Sequence, residues 1–186
     1  MSALIMFKAG VIIFFGVHLI PFFTNLKSFL QTKLGENPYK GIFSLISLAG
    51  LLMIIFGFES GTNYLFSVYS NAYLYSKYVM FFSLTFLVAA CLPTHIKKIT
   101  RHPMSLGIAV WAILHIAVNP DVSSIILFGS FLAYSIVSAL VSELRDAKKK
   151  AGDAKIIFDV LSVVLGIFFT SLAFNYHEYL SGTILG

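Results

Sequence analysis

Five histidines, His18, His95, His102, His115 and His177, carry most of the chemistry open to this sequence. A neutral imidazole nitrogen is a good ligand for haem iron and other transition metals, and two histidines on neighbouring helices can clamp a haem. Four of the five lie inside or at the edge of long apolar runs, where ionisable groups are expensive and mark function by default. His95 falls in a basic loop, where simple solvation is expected. Depth restricts which of the others can pair. At 1.5 Å per residue, His102 and His115 stand about 20 Å apart along one helix and cannot share an iron. His18 and His115 enter from opposite sides, and their levels differ by about 10 Å, which helix tilt can absorb. They form the best membrane-embedded pair, and His115 with His177 is the second, outer pair. Arg101 and His102, side by side at the inner end of a helix, suit an anionic group such as a carboxylate, which a guanidinium binds well.

Each of these residues also has a plainer reading. A lone membrane histidine often only hydrogen-bonds a neighbouring helix, and His177 stands beside Tyr176 and Tyr179, as an interfacial residue would. Asp159 is expected in the first turn of a helix, where its charge is favourable, with pairing to Arg101 or a nearby histidine as its alternative. The single cysteine, Cys91, excludes an internal disulfide and a cysteine-based zinc site. It reads as a small buried apolar residue. Trp111 and the many Phe and Tyr residues read as lipid-facing surface, belts and packing rather than as a cofactor box.

The elements that would hold these residues are unusually apolar. Of 186 residues, 58% are hydrophobic, 16% aromatic and only 11% charged, where soluble chains carry about 25% charge. Lipid must therefore solvate much of the surface. Six apolar runs follow one another, at Ala3–Phe23, Gly41–Phe58, Tyr73–Leu92, Met104–Val118, Ser123–Val141 and Ile156–Tyr176. Spanning helices need about 20 mainly apolar residues, and a barrel would need alternating short strands that are absent. The fourth run is the shortest; His102-Pro103 starts it and Asn119-Pro120-Asp121 stops it. The expected fold is all-α: one domain over residues 1–186, a polytopic six-transmembrane-helix bundle.

Charge sets the expected orientation. The loops after runs one, three and five hold Lys27, Lys33, Lys40, Lys97, Lys98, Arg101, Arg145, Lys148, Lys149, Lys150 and Lys155. The other side has Lys8 and Lys77, with Glu59, Asp121 and Glu178 as its acids. Positive-inside bias puts the first set in the cytoplasm and both termini outside. The net charge of +5 then reflects topology and solvated loops, the lysines at 148–150 included, and not nucleic-acid binding. The first run lacks a basic stretch before it and a small-residue cleavage site after it, so no cleavable signal peptide is expected. The expected partners are the bilayer and a lipophilic small molecule, with the oligomeric state left open.

Particular segments resemble the NnrU family. They are Gly16-Val17-His18-Leu19-Ile20-Pro21, Leu34-Gly35-Glu36-Asn37-Pro38-Tyr39-Lys40-Gly41, Phe43-Ser44-Leu45 through Ala49-Gly50, and Arg101-His102-Pro103-Met104 with Gly107, Trp111, His115 and Asn119. The resemblance implies a bacterial inner-membrane protein associated with denitrification and nitric-oxide metabolism. A related member, the 15-cis-zeta-carotene isomerase, is a b-type haem enzyme, which implies haem b held by His18 and His115. Arg101 and His102 would then hold a propionate. The isomerase carries a redox-alternating cysteine ligand one turn before its second histidine, and here that position is Ala112. Arg101-His102-Pro103, Met104 and Gly107 also resemble the S-adenosylmethionine-binding segment of isoprenylcysteine carboxyl methyltransferases, with Glu143 as the acidic partner. Ser105 replaces that family's tyrosine, and its doubled glutamate is reduced to Glu143-Leu144. A third expectation is non-enzymatic: a membrane protein that carries or senses haem or metal.

Overall fold

The computed structural model describes residues 2–145 and 153–181, with side chains through Glu178. Lys148, Lys149 and Lys150 lie outside the described residues. Eight α-helices are seen among those described: Ala3–Leu19 (α1), Thr24–Leu34 (α2), Glu36–Gly57 (α3), Ser70–Cys91 (α4), His95–Thr100 (α5), Pro103–Val118 (α6), Val122–Leu144 (α7) and Ile156–Ser181 (α8). The only β pairing among the described residues is an isolated bridge between Tyr64 and Asp121. The chain is thus all-α. Five helices are long and apolar enough to cross a membrane, α1 counted with the 3-10 turn that extends it to Phe22. The sixth apolar helix, α6, has 16 residues, about 24 Å against a hydrocarbon thickness of about 30 Å.

Local chemistry sets the boundaries. The Ser2 hydroxyl accepts from the Ile5 amide at 3.4 Å at the start of α1. Pro21 sits in the 3-10 turn Ile20–Phe22 that ends that helix, as its missing N–H requires. Gly35, at φ 86°, lets the chain turn between α2 and α3, a conformation that side chains disfavour. Thr94 caps α5, accepting from the Lys97 amide at 3.1 Å, and Pro103 takes the first position of α6. Two further helices, α2 and α5, occupy basic connectors where the sequence pattern predicts loop.

The described residues fall into two compact units. Met1–Tyr64 with Asp121–Ser130 form the first, and Leu65–Pro120 with Phe131–Gly186 the second. In the first, α1 and α3 run antiparallel. Phe7 stacks edge-on against Phe58 at 5.6 Å, and toward the other end His18 meets Phe43 at 5.3 Å. Phe7, Val11 and Ile54 form its core, with Phe14, Phe15, Phe58, Ile126 and Leu127 packed around them. A Cβ on Gly10 would lie 2.7 Å from the Ile54 nitrogen and 2.8 Å from the Gly50 oxygen. Such close backbone contact is how apolar helices associate where lipid removes the hydrophobic drive.

In the second unit α4 lies between α6 and α8 and runs antiparallel to both. Along α4, the Tyr73 hydroxyl donates to the Val118 carbonyl at 3.1 Å and the buried Ser83 hydroxyl to the Gly107 carbonyl at 2.8 Å. On the α8 side, Lys77 lies over the Phe174 ring at 5.5 Å. Ala72, Met80 and Leu114 form the core, bordered by Trp111, Val118 and Phe174. Trp111 takes the packing role among those expected of the aromatic residues, edge-on against Phe131 at 5.2 Å. Cys91, expected to be buried, is exposed. It borders a wholly apolar cleft of about 380 Å³ with Leu87, Leu161, Leu165 and Phe169.

Candidate functional site

The antiparallel order of the second unit sorts its ionisable residues to two ends. The C-terminal ends of α6 and α8 lie together at the end where α4 begins. There the rings of His115 and His177 come together, with centres 6.5 Å apart and planes inclined by 31°. A metal–imidazole bond is about 2.0 Å long, so two imidazoles on opposite sides of one metal have ring centres about 6 Å apart. The donor chemistry and the spacing therefore fit a bis-imidazole metal centre. Trp111, one turn before His115, lies 5.0 Å from its ring.

Both rings named first by the sequence are oriented by their own helices. The Nδ1 of His115 lies 2.8 Å from the Trp111 carbonyl, and the Nδ1 of His18 lies 2.6 Å from the Phe14 carbonyl. A carbonyl only accepts, so in each ring Nδ1 carries the proton and Nε2 the lone pair. Fixing the tautomer through the non-ligating nitrogen is what metal-binding histidines do.

His18 belongs to the first unit and His115 to the second. Around His18 stands a ladder of rings: Phe14 at 4.2 Å, Phe43 at 5.3 Å, and Tyr39 at 6.3 Å from Phe43. The buried Tyr39 hydroxyl has no hydrogen-bond partner among the described residues. An unmatched buried hydroxyl costs about 1–3 kcal/mol.

The opposite end of the second unit collects the charges. The Arg101 guanidinium pairs with Glu143 at 2.8 Å, and the His102 Nε2 lies 2.6 Å from the other oxygen of the same carboxylate. The two groups expected to hold an anion are both engaged by Glu143. Arg101 adopts φ 56° and ψ −42°, and the His102 amide bonds the Thr100 carbonyl at 2.6 Å. That is a γ-turn of the rare, strained sense. His95 is not simply solvated: its Nδ1 meets Asp159 Oδ2 at 2.6 Å, and Asp159 Oδ1 accepts from the His95 and Ile96 amides. Asp159 thus takes the histidine alternative of its expected roles and ties α8 to the start of α5. The sequence carried no spacing signal for this pair, 64 residues apart. Among the described residues no three His, Cys, Asp or Glu side chains gather as a metal-binding group.

Comparison with curated proteins and with solved structures returned no match. A family model described as NnrU protein matches residues 6–184, nearly the whole chain; this multi-helix membrane protein therefore belongs to the NnrU family.

Proposed function

We propose that this NnrU-family protein binds haem b in a bacterial inner membrane, and that His115 and His177 would hold it. The observation that carries this reading is the 6.5 Å separation of the two ring centres. The Trp111 carbonyl supports it by leaving the His115 lone pair on Nε2. Bound haem would supply redox and small-ligand chemistry, which fits a role in nitric-oxide metabolism and denitrification. The chain's own part is to orient two imidazoles, hold their tautomers and surround them with apolar helix. In this reading the protein carries or senses through haem, or acts on a lipophilic substrate in the manner of an isomerase. Both termini lie on the periplasmic side.

A second reading keeps His18 as the partner of His115. It is favoured by the matching Nδ1 bond to Phe14 and by the unmatched Tyr39 hydroxyl along the same ring ladder. The methyltransferase reading draws on the gathering of Arg101, His102 and Glu143.

Absorption spectra of the detergent-purified protein, oxidised and reduced, test the haem. Trp111, the one tryptophan, reports on the place, because haem beside His115 quenches its fluorescence. The expected result is a Soret band with sharp reduced bands, Trp111 quenching on haem addition, and loss of both in His115→Ala and His177→Ala. Loss in His18→Ala with retention in His177→Ala selects the second pair. A protein that stays colourless with added haem overturns both, and S-adenosylmethionine binding dependent on Arg101 and Glu143 is measured next.

A further inference from the structure

The eleven residues of α2 fold into a helix that the protein itself does little to hold. None of its residues is buried, and no side chain caps its N-terminus. An isolated helix shorter than about 12–15 residues is marginal in water. Yet the side chains of α2 are sorted by face. Leu26, Phe29, Leu30 and Leu34 recur at the i, i+3, i+4, i+8 spacing of an apolar stripe, while Thr24, Asn25, Ser28 and Thr32 take the opposite side. Leu26 is 43% exposed and Phe29 57%, and Phe23, just before the helix, is 61% exposed.

Charge and position identify what covers this stripe. The helix carries Lys27 and Lys33 and no acid. Its two ends connect to α1 and α3, both long and apolar enough to cross a membrane. A short amphipathic, cationic helix strung between two spans is held at the level of the lipid headgroups. Low overall hydrophobicity, a sorted apolar face and lysines are the marks of a helix lying in that interface.

We propose that α2 is an interfacial helix that docks on anionic lipid of the protein's own membrane. Leu26, Phe29 and Leu34 enter the boundary between headgroups and acyl chains. Lys27 and Lys33 pair with lipid phosphates, Lys33 by extending its charged end outward from the apolar side. Because α2 begins just past the Pro21 turn, its seating also fixes where the chain leaves the membrane after His18.

The test uses the full chain with Cys91→Ser, so that one introduced thiol is the only one. Leu26→Cys, Phe29→Cys, Ser28→Cys and Thr32→Cys are each labelled with an environment-sensitive fluorophore. The proteins are then reconstituted into phosphatidylcholine vesicles with or without phosphatidylglycerol. With phosphatidylglycerol, positions 26 and 29 are expected to be several-fold less quenched by aqueous iodide than 28 and 32, and quenched instead by a bilayer-borne nitroxide. Lys27→Gln with Lys33→Gln, or omission of phosphatidylglycerol, should shift 26 and 29 toward the aqueous pattern while Trp111 emission stays unchanged. Equal iodide quenching at all four positions overturns the proposal. So does protection of 26 and 29 that ignores lipid charge and disappears on dilution of protein in lipid, which would assign the face to a second copy of the chain.

Discussion

Asp121 shows how one side chain fastens a loop at a membrane edge. It is 1% exposed and stands immediately before α7, where Oδ1 accepts from the Ser123 and Ser124 amides at 3.0 and 3.1 Å. Oδ2 accepts from the Ser124 hydroxyl at 2.6 Å. Burial pushes the carboxyl up, but the bonds from Ser124, Gly61 and Ser123 outweigh it and hold it below the ordinary carboxylate value. A depressed folded value means stability that is present above the unfolded value of about 3.9 and is lost as pH falls through the folded one. Removal of the cap in Asp121→Ala should lower stability by about 1–2 kcal/mol at neutral pH. Denaturation followed by Trp111 emission should show this loss shrinking as the pH is taken below that range. Arg101 gives a second comparison at this scale. Its strained backbone costs about 1–3 kcal/mol, and its solvent-exposed pair with Glu143 returns about 0–1 kcal/mol. Arg101→Gly, which loses the pair but relaxes the turn, should therefore be more stable than Arg101→Ala by about 1 kcal/mol.

Helix pairs depend on small residues at a few levels. Gly10 against Gly50 and Ile54 brings α1 onto α3, and Gly107 against Ser83 brings α6 onto α4, so close that a Cβ on Gly107 would stand 2.8 Å from the Ser83 carbonyl oxygen. Gly107→Val should separate α6 from α4 and break the Ser83 bond. The expected loss is about 1–3 kcal/mol, the usual cost of overpacking. It should be accompanied by a red shift of Trp111 emission, since that residue lies one turn farther along α6. Ser83→Ala removes the bond without the clash, so its loss should be smaller, about 0.5–1.5 kcal/mol.

On the scale of the whole molecule, large apolar side chains face outward in every long helix. Ile12, Phe56 and Leu74 are each at least 70% exposed, which water would not tolerate over so much of a surface and lipid does. The orientation proposed from the basic loops predicts opposite labelling of two exposed positions. In a Cys91→Ser background, an impermeant maleimide added to intact spheroplasts should modify Glu59→Cys. Lys98→Cys should react only after the membrane is opened. The reverse pattern would invert the topology.

The sequence by itself determined the membrane class, the six apolar helices, and the residues worth testing. Composition and run length depend only on local chemistry, and His102-Pro103 and Asn119-Pro120-Asp121 bound α6 wherever it packs. The i−4 bonds of His18 and His115 are likewise properties of a single helix. What only the tertiary structure decided was pairing. The meeting of His115 with His177, of His95 with Asp159, and of Arg101 and His102 with Glu143 joins residues 41 to 64 positions apart. Such meetings follow from which helix packs beside which, and that is set by shape at positions such as Gly107 and Ser83 rather than by the apolar pattern that all the spans share. The helix α2 is visible only in the structure for a different reason: its stripe is short and its composition mixed, so the apolar pattern does not separate it from a basic loop.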